Sequence, residues 1–214
     1  MKTVTIIDYG RSNLLSVCHA FEYFGVEVNV TSSPKDIATA HVLVLPGVGA
    51  FQDGMDGLRR LNLVGALNDA VKSGIPLLGI CLGMQMLFDQ SEEFGIHDGL
   101  GYIPGKVVRI PQEDTDGKRQ KIPHISWNPL LPIGEKGNFS DTILSNVSCG
   151  EECYFIHSYE AVPTNTKNRI ADTVYGGRKI CAVAQNGNVI GMQFHPEKSG
   201  RVGLRIIEKF IEIY

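Results

Sequence analysis

Residues 75–88 read IPLLGICLGMQMLF. The stretch 75–80 is apolar at nearly every position and does not alternate. That pattern predicts a strand buried on both faces, as in a parallel sheet covered by helices on each side. From Leu82 onward the apolar spacing turns helical. Cys81 stands at the junction, with Gly79 and Gly83 two positions to either side. The same grammar extends upstream. TVTIID (3–8), VEVNVT (26–31) and HVLVLP (41–46) read as further strands. Residues 13–25 read as a helix with Leu14, Val17, Cys18, Phe21 and Phe24 on one face, Asn13 as its cap and Gly25 as its stop. Helical spacing fills 54–73, and Gly74 stops it.

The second half changes character. GKVVRI (105–110) and the run CYFIHSYEAV (153–162) read as strands with longer loops between them. KICAVAQ and NVIGMQF are joined at Asn186-Gly187, a strong hairpin signal. A final helix over 201–213 has Val202, Ile206, Phe210 and Ile213 at core spacing. The polar run 111–121 reads as an exposed loop. The expected fold is α/β, one domain over 1–214, with a mostly parallel central sheet and an antiparallel extension.

The 214 residues, 43% hydrophobic and 20% charged, suit a globular chain with a sizeable core. A net charge of −3 gives no bulk attraction to nucleic acid or acidic lipid. No apolar run approaches the ~20 residues of a membrane helix. The opening MKTVTIIDYG reads as a strand and not as a signal peptide. Five scattered cysteines, an odd number, add to an expectation of a reducing, cytoplasmic setting. Cys149 and Cys153, in CGEEC, have only His157 near them and no second cysteine pair, so no metal site is expected.

A strand–turn–helix with G-x-C-x-G at its centre has the logic of a nucleophile elbow. The glycines would let the chain turn sharply and leave room for a substrate. The positive end of a helix would lie beneath the sulfur. A structural cysteine between two glycines is the competing reading. The stretch GMQFHPEKSG (191–200) tips the balance. His195 and Glu197 lie two positions apart at a strand end, where the strand's period of two would point them the same way. A thiol, an imidazole base and an orienting carboxylate, in that order, make a nucleophilic triad. An oxyanion hole would take the backbone N–H of Leu82. Its second donor would come from Val48 or Gly49 in PGVGAF (46–51).

GICLGMQ, FHPE and the order Cys–His–Glu resemble the class I, triad-type glutamine amidotransferases, across essentially the whole chain. PGVGAF, PHISWN (123–128) and YFIHSY (154–159) are most similar to the glutaminase subunits of imidazole glycerol phosphate synthases. The resemblance implies a three-layer, flavodoxin-like fold and no cofactor. It implies that Cys81 attacks the amide of L-glutamine, His195 moves protons and Glu197 orients it. It also implies that Gln85, Glu93, His157, Ser158 and Tyr159 hold the glutamine. Ammonia would pass to a (β/α)8-barrel cyclase in a heterodimer, with Asn13, Tyr154 and Lys198 at the interface. Three positions, Arg11, Ser12 and Ser126, depart from the family pattern. Two alternatives remain at this point: a paralogous glutaminase amidating a sugar for surface polysaccharide, and a cysteine hydrolase of related fold. A catalytically silent binder would have no structural need for all three triad residues.

Overall fold

The four apolar runs of the first half become parallel strands: β1 (Thr3–Ile7), β2 (Glu27–Thr31), β3 (Val42–Gly47) and β4 (Leu77–Cys81). This computed structural model describes residues 2–10, 13–134 and 137–214. Arg11 and Ser12, two of the departures from the family pattern, lie outside the described residues. Between the strands run α1 (Leu14–Glu22), α2 (Pro34–Ala38), α3 (Phe51–Arg60) and α4 (Leu63–Lys72). Strand residues alternate between two cores. Ile6, Val44, Leu78 and Ile80 pack with Val17 and Phe21 of α1, whereas Ile7, Leu43, Leu45 and Leu77 pack with α3 and α4 residues such as Met55 and Leu67. Helices therefore cover both faces, which is why the central strands β3 and β4 are buried throughout, whereas the edge strand β2 keeps Glu27 and Asn29 exposed.

Two local expectations are corrected here. The single helical stretch over 54–73 is two helices, broken at Asn62, which sits left-handed at φ 56° and ψ 30°. Asparagine tolerates that conformation better than other non-glycine residues. Asn13 stands at the N-cap of α1, but its side chain accepts no backbone N–H there; its Nδ2 instead donates to Ser16 Oγ at 3.2 Å. Gly25, at φ 72°, does follow the helix as its stop.

Beyond β4 come α5 (Leu82–Met86), β5 (Phe88–Ser91), β6 (His97–Asp98) and β7 (Ile103–Arg109). They are followed by β8 (His124–Pro129), β9 (Leu131–Pro132), β10 (Glu152–His157) and β11 (Tyr159–Pro163). The chain ends in β12 (Arg169–Tyr175), β13 (Arg178–Asn186), β14 (Val189–Met192) and α6 (Gly200–Ile213). The main sheet has eight strands in the order β2-β1-β3-β4-β14-β13-β12-β9. β14 pairs parallel with β4, and β13, β12 and β9 form the antiparallel extension. β12 is not among the strands read from the sequence, although Ile170, Thr173, Val174 and Tyr175 favour one; Arg169 Nε holds Asp172 Oδ1 at 2.9 Å.

The run 153–162 is not one strand. It splits at Ser158: among the described residues β10 pairs with β8 alone, and β11 joins a separate sheet of order β11-β7-β5-β6. The hairpin turn also differs by one residue. Asn186 pairs with Val189, so Gly187 and Asn188 form the turn, and Gly187 supplies φ 58°. Asn188 Nδ2 pins that turn to the entrance of β4 by donating to Ile75 O at 2.7 Å. In α6 the buried residues are Gly203, Ile206, Ile207 and Phe210, while Ile213 stays 46% exposed at the fraying end. Phe210 meets Phe21 of α1 edge-on, with centroids 6.3 Å apart. The run 111–121 is a largely exposed loop folded through a bridge between Glu113 and Arg119. Among the described residues no helix is long and apolar enough to cross a membrane.

Candidate active site

Cys81 closes β4 at φ 55° and ψ −108°, a conformation L-residues seldom adopt. A backbone of this kind costs about 1–3 kcal/mol and persists only where its surroundings impose it. The flanking glycines do the imposing, for a reason other than the one expected. The positive φ falls on Cys81 itself and not on them. A Cβ on Gly83 would lie 1.8 Å from the carbonyl oxygen of Leu45, and one on Gly79 would lie 2.8 Å from the backbone of Gly83. Both glycines therefore let the first turn of α5 press against β3 and β4. That turn has only five residues, so its dipole is small.

The sulfur has two neighbours that the sequence did not disclose. Cys81 Sγ lies 3.8 Å from the carbonyl oxygen of Ile156, and Gln193 Nε2 approaches Sγ at 3.8 Å. His195 Nδ1 sits 2.7 Å from Glu197 Oε1, with both side chains almost fully buried. Strand pleating does not align these two. β14 has already ended at Met192, and a 3-10 turn over Pro196–Lys198 swings Glu197 back under the ring. Burial works against charge on His195. The Cys81 sulfur and the Glu197 carboxylate outweigh it and raise His195 to about 10. His195 Nε2 and Glu197 Oε2 are buried without a hydrogen-bond partner among the described residues.

The turn is fastened from two sides. His195 N–H donates to Tyr154 O at 3.0 Å. Ser199 Oγ donates to His195 O at 2.7 Å and accepts from Tyr154 N–H at 3.0 Å. Gly203 of α6 lies so close beneath that its Cβ would stand 1.9 Å from Pro196 O.

A cleft of about 250 Å³ opens over the sulfur. It is lined by Val48, Gly49, Leu82, Gln85, Glu93, His157, Ser158, Tyr159 and His195, and also by Pro123 and Ile156. The residues expected at the oxyanion and at the glutamine thus converge on one space, although they come from four stretches of chain. Gly49 stands at φ 105°, and Val48 is 40% exposed beside it. Glu93 Oε2 accepts the N–H of Phe51 at 2.7 Å, at the first turn of α3. Burial raises the Glu93 carboxyl, and the Phe51 N–H pulls against that rise.

His157 is driven down to about 3, chiefly by burial, so it stands neutral. Its Nδ1–H donates to Tyr159 O at 2.8 Å, which leaves Nε2 to accept from His124 Nδ1 at 3.0 Å. Burial lowers His124 as well. The His124 ring is stacked on Tyr175 at 4.0 Å, and its Nε2 meets Ser126 Oγ at 2.9 Å. Ser126 thus has a partner in place, which a glycine would lack.

The opposite face of β8 and β10 is apolar and open. Trp127 pairs with Tyr154 and Ile125 with Ile156 across the strands. Ile125 and Trp127 are about half exposed (53% and 50%). Lys198 is exposed, and Asn13 is half-buried at the head of α1. Sequence reasoning named only Tyr154 from this patch. The alternation in HISW and YFIH was its signal.

The class-I glutamine amidotransferase family matches residues 5–213. The "Imidazole glycerol phosphate synthase subunit HisH 1" of Legionella pneumophila (strain Lens) is 52% identical over 213 residues, covering 100% of both chains. The HisH subunit of Geobacillus sp. (strain WCH70) is 45% identical over 210 residues, 98% of this chain and 96% of that one. Among solved structures, one described as a glutamine amidotransferase superposes with a TM-score of 0.72 at 16% identity, over 98% of this chain and 97% of that one. PurLQS from Thermotoga maritima gives 0.72 at 20% identity, over 99% and 98%. At those identities the superpositions speak for the fold alone. With a family match spanning nearly every residue and half of all positions identical to full-length relatives, the chain belongs to the class-I glutamine amidotransferases.

Proposed function

We propose that this chain is the glutaminase subunit of an imidazole glycerol phosphate synthase. It releases ammonia from L-glutamine for a (β/α)8-barrel cyclase in histidine biosynthesis. The observation that carries the chemistry is the strained Cys81 elbow, opening into the same cleft as His195, whose other nitrogen is held by Glu197. The full-length likeness to HisH subunits supports the pathway over polysaccharide amidation.

In this reading Cys81 Sγ attacks the side-chain amide carbon of glutamine while the thiol proton resides on His195. The oxyanion accepts N–H groups from Leu82 and from Val48 or Gly49. Protonated His195 gives its proton to the departing nitrogen as the C–N bond breaks, and ammonia leaves. Water, deprotonated by His195, then cleaves the thioester and frees glutamate. Glu93, a carboxylate at the cleft wall, suits the substrate's ammonium. Gln85, Ser158, Tyr159 and neutral His157 supply polar and main-chain groups. The partner face is the open apolar patch of Ile125, Trp127, Tyr154 and Ile156, with Lys198 at its edge and Asn13 contributing from α1. An exposed patch of aromatic and branched residues is what a stable docking surface requires. The cytoplasm is the compartment this reading expects.

The test uses the complex with the cyclase from the same cell. Cys81→Ala should abolish glutamine-dependent synthesis and leave ammonium-dependent synthesis intact, because the cyclase site lies on the other chain. Near wild-type glutamine hydrolysis by Cys81→Ala would overturn the assignment.

A further inference from the structure

We infer that Gln193 is a positioning residue for the nucleophile, its carboxamide N–H directed onto Cys81 Sγ by a hydrogen-bond relay that starts at the Tyr159 carbonyl. This inference rests on the reading of Cys81 as the nucleophile.

The relay has a fixed direction. Tyr159 O is a main-chain carbonyl and can only accept. Gln85 must therefore turn its NH2 toward it, and Gln85 Nε2 lies 3.0 Å away. The same nitrogen's second hydrogen faces Gln193 Oε1 at 3.1 Å. With its oxygen thus engaged, Gln193 has only its NH2 left to present to the sulfur, 3.8 Å from Sγ. Reversing Gln85 would set oxygen against the Tyr159 oxygen, and reversing Gln193 would set its NH2 against that of Gln85, inside a site where Gln193 is wholly inaccessible to solvent. The backbone of Gln193 is held too, its N–H donating to Ala182 O at 2.9 Å.

The sulfur consequently has a partner for each of its forms. As a thiol it can donate to Ile156 O, 3.8 Å away. As the attacking anion it accepts from Gln193. A donor to a charged sulfur is worth more than one to a neutral group, so Gln193 favours the attacking form and, on deacylation, the departing one. Gln85 then serves both the cleft, which it lines, and the orientation of its neighbour.

The test uses the full chain in complex with its cyclase, with Gln193→Met, which removes the donor, and Gln193→Glu, which keeps the shape and turns an acceptor toward the sulfur. Two quantities are read. One is glutaminase kcat against KM. The other is the rate at which iodoacetamide alkylates Cys81 at neutral pH, followed by mass spectrometry of the Cys81 peptide. Both variants should lose about tenfold in kcat with KM within about twofold, and alkylation should slow about tenfold. Gln193→Glu should alkylate no faster than Gln193→Met. Gln193→Glu also covers the case in which Gln193→Met fails to co-purify with the partner. Gln85→Met should slow alkylation as well, since it frees Gln193 to turn. Unchanged alkylation and unchanged kcat in a folded Gln193 variant would overturn the inference. So would a loss confined to KM. The alkylation readout does not depend on turnover. An active Cys81→Ala would therefore sink the glutaminase reading while leaving the Gln193–sulfur contact measurable.

Discussion

In the proposed mechanism Glu197 acts through one oxygen, 2.7 Å from His195 Nδ1, where both side chains are almost fully buried. Fixing the ring and stabilising its protonated form are both tasks of charge at close range. Glu197→Gln keeps the shape and removes the charge. It should lower kcat on the order of a hundredfold, with KM within a few-fold. The titration of His195, raised to about 10 with Glu197 as one cause, should move down in the variant, as read by NMR of the imidazole protons. The sign follows from the charge: without the carboxylate the imidazolium loses a partner and gives up its proton at lower pH. A large rise in KM with unchanged kcat would instead make Glu197 a substrate contact.

At the scale of elements, the decisive contact is α5 seated on β3. Gly83→Ala would drive a methyl to within 1.8 Å of the Leu45 carbonyl oxygen, part of a central strand that cannot retreat. The expected cost is more than about 2 kcal/mol in denaturant unfolding, together with loss of glutaminase activity, because relieving the clash must move Cys81. Gly65 in α4 is the control. It is exposed, and a Cβ there meets nothing within 4 Å. Gly65→Ala should stabilise by about 0.5–1 kcal/mol and leave activity alone. Equal effects of the two substitutions would mean that Gly83 has room for a methyl and that close approach to Leu45 does not set the elbow. The sequence could place both glycines beside the cysteine. It could not say what they touch, because Leu45 belongs to another strand.

At the scale of the molecule, the β10 strand joins two surfaces. Its outward residues Tyr154 and Ile156 belong to the open patch, and its backbone carbonyls meet His195 N–H and Cys81 Sγ. In the proposed complex, a partner seated on that patch would press on the strand whose carbonyls meet His195 and Cys81. Val48, β-branched and on the loop beside Gly49, resists the backbone angles that would aim its peptide N–H at an oxyanion. We therefore expect the isolated chain to release little glutamate. The cyclase should raise the rate, and the cyclase with its acceptor ligand should raise it further, through a differential contact in the two loop states. Trp127→Ala, at the centre of the patch, should weaken the complex at least about tenfold, measured by titration calorimetry, without changing the unfolding midpoint by much. Equal glutamate release in all three assemblies would remove the gating and leave the triad standing.

Short-range physics decided what the sequence determined by itself. Uninterrupted apolar runs required a sheet covered on both faces, G-x-C-x-G marked a turn at the end of one strand, and His195-Pro196-Glu197 could be read as a base beside its carboxylate. Each is a property of a few consecutive residues. The tertiary structure alone decided that 153–162 divides between two sheets at Ser158, that β12 lies between β13 and β9, and that Gly83 faces Leu45. It alone brought Gln193 and the Ile156 carbonyl to the sulfur from more than seventy residues away. Strand partners and hydrogen-bond partners at such separations are set by which elements pack together, and packing follows from the summed burial of the whole chain and not from any local pattern.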